Sequence, residues 1–161
     1  MSKTTEDFKE ILLRFVSSEL TSHAGSFIGL SVILFAYLNV ISQFYPDRVP
    51  FILYFDFSPS AWRYLIIFLI LCVIDTFIIY TAVRLAYYGK LATQLIYYVK
   101  STNSSKQLWE KTTSVVNGTT FWKIPLEWYS RGVSSFSKGF GFSFLLGSIF
   151  SFILIMTFLF C

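Results

Sequence analysis

The residue best placed to do chemistry in this chain is Asp75. It lies within Tyr64–Val83, YLIIFLILCVIDTFIIYTAV, a run of about twenty residues that spans roughly 30 Å as a helix, the thickness of a bilayer core. A carboxyl group near the middle of such a helix costs about 2.5–3.5 kcal/mol to insert and needs a partner. With the first and third apolar spans running one way and the second running back, the depth of Asp75 matches Ser31 and Ser148. The expected polar contact is therefore Asp75 with Ser31 and Ser148. Three roles fit it: hydrogen-bond glue inside a bundle, a proton or cation site on a pore made by several copies, or a contact to a different subunit. Glue is the simplest, and such bonds average ~0.6 kcal/mol in membranes, so they specify a packing more than they strengthen it.

Arg84 follows Asp75 by nine positions on the same span. At about 100° per residue the two side chains point to nearly opposite faces and cannot pair within one helix. Arg84 is expected to reach the headgroup layer, where Lys90 would share the contact with a lipid phosphate. The other expectation is a contact with Glu19 or His23, which lie at similar depth before the first span. His23 is the only histidine and shares a helix face with Glu19. One Glu and one His are too few ligands for zinc, and HExxH is absent. Cys72 and Cys161 fall at different depths and have no metal-ligand spacing. No metal site and no cofactor are expected. The chain has no phosphate loop, no dinucleotide fingerprint, no Ser/His/Asp set and no paired intramembrane carboxylates, so it reads as a non-enzyme.

A different kind of pattern occupies the third span. Gly139, Ser143, Gly147 and Ser151 recur every fourth residue, a row that lets helix backbones approach closely. Gly25 and Gly29 repeat the device in the first span. All six are expected at helix contacts, within the chain or with a partner.

The elements that must position these residues follow from the distribution of apolar and basic residues. The chain of 161 residues is 55% hydrophobic and 14% charged, where soluble domains run near 25% charged. The apolar residues gather in three blocks, so the reading is an all-α membrane protein with three transmembrane helices. An amphipathic helix is expected over residues 1–23, with Thr4 and Asp7 as a capping box and Phe8, Ile11, Leu12, Phe15 and Val16 on one face. That face would lie on the membrane, on the inner loop or on a partner protein. Transmembrane helix 1 is placed at 24–43, a short interfacial outer loop at 44–60, transmembrane helix 2 at 61–87 and transmembrane helix 3 at 139–161. Ser58 and Pro59 make a good helix start. Residues 88–138 form a loop with short helices, in which 85–100 prolongs span 2 as a stalk and 106–116 makes a short helix carrying Leu108, Trp109, Thr112 and Val115.

Charge orients the spans. Lys3, Lys9 and Arg14 precede the first span, and Lys90, Lys100, Lys106, Lys111, Lys123, Arg131 and Lys138 lie between the second and third. By the positive-inside rule, the N-terminus and 88–138 are cytoplasmic and the C-terminus lies on the opposite side. Two sequons, at Asn103 and Asn117, oppose this, and the charge rule carries more weight. The net charge of +4 is spread out, which gives no nucleic-acid patch. The expected partners are membrane lipids and other membrane subunits or copies of the chain itself. The leading expectation is a non-catalytic subunit that scaffolds or stabilises a larger assembly. The alternative is a homo-oligomeric channel or pore-forming effector with Asp75 near the path.

Overall fold

The structure, a computed structural model, describes residues 3–44, 59–99, 104–116, 126–129 and 133–160. The described residues are helical almost throughout: α1 (Lys3–Phe44), α2 (Pro59–Val99), α3 (Ser105–Val116), a 3₁₀ turn (Leu126–Tyr129) and α4 (Val133–Phe160). The helices α1, α2 and α4 are each long and apolar enough to cross a membrane. The outer loop lies almost wholly outside the described residues, as do Asn103, Asn117 and Pro125.

Local chemistry accounts for the helix limits. α2 opens on Pro59, whose missing N–H and fixed φ suit a first helical position. It then runs through Gly89 to Val99 without a break, so the stalk expected over 85–100 is part of the same helix. A Cβ at Gly89 would meet Leu20 Cδ1 at 3.9 Å, an ordinary contact, so this glycine answers no steric demand. α1 likewise passes straight through Gly25, and the amphipathic and apolar segments expected as two elements are one helix of 42 residues. Its first described residue is Lys3, which puts Thr4 inside the helix. α4 begins at Val133, earlier than the expected 139, because nothing in VSSFSK interrupts the helical backbone. The Ser104 carbonyl accepts the Leu108 N–H at 3.0 Å and opens α3.

The chain divides into two compact units: unit 1 is Met1–Ser26 with Thr81–Gly139, and unit 2 is Phe27–Tyr80 with Phe140–Cys161. Unit 1 is built on a cluster of buried apolar residues. Leu12 and Val16 of α1 cluster with Tyr87, Tyr88, Leu91 and Leu95 of α2 and Leu108 of α3, all 8% exposed or less. The apolar stripe of the N-terminal helix is thus divided. Leu12 and Val16 are buried, while Phe8 and Ile11 are 38% and 64% exposed. Lys9, itself buried, donates from Nζ to the Val99 carbonyl at 2.9 Å. This places an ammonium on an orphan carbonyl at the negative end of α2, where the helix dipole favours it.

In unit 1, Gly139 sits where a Cβ would lie 2.5 Å from the Trp128 carbonyl oxygen, so backbone meets backbone there. Tyr129 beside it is fully buried. In unit 2, α2 and α4 pack closely, with Phe77 and Tyr80 meeting the Phe140 ring edge-on at 5.6 and 6.2 Å.

Leu108 is fully buried and, among the described side chains of α3, is the apolar one that joins this core. Leu108→Ala is expected to destabilise unit 1 by about 2–5 kcal/mol, read as a lower thermal midpoint in detergent and as loss of amide protection across α3.

Candidate functional site

Asp75 is 1% exposed, and the donor that reaches it is Ser151, whose Oγ lies 2.5 Å from Oδ2. Both residues belong to unit 2. The contact forms because the small residues of α4 bring its backbone against α2. At Gly147 a Cβ would fall 2.8 Å from the Thr76 backbone N and 3.0 Å from its Cα, where only glycine fits. Ser143 and Ser151, on the same row, are completely buried. Thr76 turns its hydroxyl back to the Cys72 carbonyl at 2.5 Å, which satisfies it inside its own helix, and its Oγ1 would lie 2.8 Å from a Cβ at Gly147.

The expected trio of Asp75, Ser31 and Ser148 is therefore corrected. Ser31 Oγ donates to the Phe27 carbonyl at 2.8 Å, and Ser148 Oγ to the Phe144 carbonyl at 2.9 Å. Depth alone selected Ser148, and depth does not determine which face of α4 meets α2. From Gly147, Ser148 is turned by about 100° while Ser151 is turned by only about 40°. The donor is thus on the face that glycine lets come close.

The six small residues divide in the same way. Gly139, Ser143, Gly147 and Ser151 are all buried. Gly25 and Gly29 have nothing within 4 Å of where a Cβ would be, so among the described residues α1 does not use them for packing. Gly141, off the row, also faces open space.

A second polar cluster lies in unit 1. Glu19 Oε2 is approached by His23 Nε2 at 3.4 Å and by Arg84 Nη2 at 3.9 Å. Arg84 Nη2 donates to Tyr88 Oη at 3.1 Å, and the guanidinium carbon lies 5.5 Å from the Tyr88 ring centroid. The His23 ring stacks on the same tyrosine at 5.4 Å and 21°. Of the two contacts expected of Arg84, the structure places it beside Glu19, with its side chain 17% exposed. Lys90, on the same helix, is partly buried. His23 and Arg84 thus share the Glu19 carboxylate, Tyr88 contacts both of them, and together they tie α1 to α2.

No group of three or more potential metal ligands occurs among the described residues. Among the described residues, the Asp75–Ser151 pair holds a carboxyl group and a hydroxyl with no base or second carboxylate beside them, a set suited to locking two helices. Ser151→Ala is expected to cost about 1–3 kcal/mol, because it leaves a buried carboxyl without its donor, whereas Asp75→Asn, which keeps an acceptor for Ser151, should cost less. Unfolding of each variant in detergent, completed as a double-mutant cycle, measures the coupling. Gly147→Ala should cost about 1–3 kcal/mol by overpacking, and Gly141→Ala should be nearly neutral by the same assay. No family model, no curated protein and no solved structure matches this chain.

Proposed function

We propose that this chain is a non-catalytic, multi-pass membrane subunit that scaffolds or stabilises a larger membrane assembly. The observation that carries this reading is the open surface of α1. In its most apolar 18-residue window no residue is buried within the chain, against 33% in α2 and 22% in α4. That window belongs to a helix carrying Gly25 and Gly29, a small-residue pair of the kind that α4 fills with α2. Lipid covers apolar side chains well, but it gains nothing from a notch in a helix, while another helix does. The carboxyl group that would have served a transport path is instead 1% exposed and held by Ser151.

The membrane placement rests on length and charge. The helical stretches of unit 2, residues 27–44, 59–80 and 140–160, are roughly 27–33 Å long, matched to a bilayer core. Of the 13 Lys and Arg residues, all but Arg48 and Arg63 fall in unit 1. In this reading the N-terminus and 88–138 are cytoplasmic, and the C-terminus lies on the opposite side. The partners are lipids and other membrane chains, with no role for nucleic acid.

Native mass spectrometry after gentle detergent extraction tests the reading. Different chains should co-purify at a fixed ratio. Gly29→Leu, which meets open space in the isolated chain, should leave the protein folded and release those chains. Recovery of the wild type as a monomer, or as a ring of identical copies, overturns the subunit reading.

A further inference from the structure

We propose that Glu19, His23 and Arg84 form a proton-operated latch that fastens the N-terminal half of α1 to the C-terminal half of α2. The latch lies wholly within unit 1, and its working does not depend on what the protein assembles with.

The geometry is that of one anion serving two bases. His23 Nε2 and Arg84 Nη2 address the same oxygen, Glu19 Oε2, at 3.4 and 3.9 Å, and the three side chains are only 13%, 17% and 18% exposed for His23, Arg84 and Glu19. With a neutral imidazole, the charges of Glu19 and Arg84 balance. A proton on His23 places a second cation on that carboxylate, close to Arg84 and shielded from water. Tyr88 closes the cluster on the α2 side, with its ring against His23 and its hydroxyl on Arg84. Tyr87 meets that ring edge-on. The charged groups acting on His23 are thus Glu19 from its own helix and Arg84 from α2.

Burial, and then the Arg84 guanidinium, hold the pKa of His23 below its ordinary value of 6.5 against the opposing pull of Glu19. The sign follows by linkage. A histidine depressed in the packed state and ordinary in the open state binds more protons when open. Packing is then strongest above the ordinary histidine value. It weakens as pH falls through 6.5, and the loss levels off below the depressed value. The same two helices are also held by Lys9 on the Val99 carbonyl and by the Leu12, Val16, Leu91 and Leu95 contacts.

His23 is the only histidine, so its imidazole signals are unambiguous in an NMR spectrum of the full chain in detergent micelles. The experiment follows them from about pH 7.5 to about pH 5 alongside amide exchange of Leu12–His23, normalised to intrinsic rates. The expected result is a several-fold loss of protection that tracks the His23 titration, a flat profile in His23→Gln, and a transition moved to lower pH in Glu19→Gln. A His23 that titrates at or above its ordinary value overturns the proposal. So does a loss of protection in His23→Gln parallel to the wild type. If His23→Gln does not fold, the wild-type curves decide alone: coincidence of titration and exchange supports the latch, and separation overturns it.

Discussion

A carboxyl group in the middle of an apolar helix has to find its hydrogen bond inside the protein, and that constraint organises unit 2. Asp75 is almost completely buried and meets Ser151 at hydrogen-bonding distance. A serine side chain is short, so the two helix backbones must come close for the hydroxyl to arrive. Gly147 against Thr76 provides that approach, and any larger residue there would hold the helices apart. The aromatic contacts of Phe140 with Phe77 and Tyr80 fill the next turns of the same interface. Close packing and a buried polar bond select the pairing of α2 with α4.

Unit 1 is held by an apolar core with charged groups around it. Leu12, Val16, Leu91, Leu95 and Leu108 close that core. Around it lie paired charged groups, such as Lys9 on the end of α2 and Arg84 beside Glu19. α1 and α2 are each continuous helices that contribute residues to both units. The sequence carries both signals, an amphipathic period before Gly25 and a nearly uniform apolar run after it.

The candidate site was legible in its parts and not in its pairing. Asp75 stood out because a carboxylate is costly in an apolar run, and the row from Gly139 to Ser151 stood out by its period of four. Neither observation alone names the other as its partner. The missing step was geometric: the donor must lie on the face that glycine allows to approach, which selects Ser151 over Ser148. Arg84 illustrates the same limit. Its distance from Asp75 excluded a bond between them, but whether it turned to headgroups or to Glu19 depended on how α1 lies against α2.

By itself the sequence determined three helices apolar enough to cross a membrane, a helix start at Pro59, a short helix near 106–116 and the presence of an internal polar contact. These follow from local rules: hydropathy over about twenty residues, proline and serine at a helix start, and the cost of burying charge. Only the tertiary structure decided that α4 spends its small residues on α2 while Gly25 and Gly29 of α1 face open space. It also decided that Ser151 serves Asp75 and that Glu19 gathers His23 and Arg84. The physical reason is that periodicity gives each helix its faces, whereas which faces meet is settled by the rotation of one helix against another. That rotation is fixed by contacts between residues far apart in the chain.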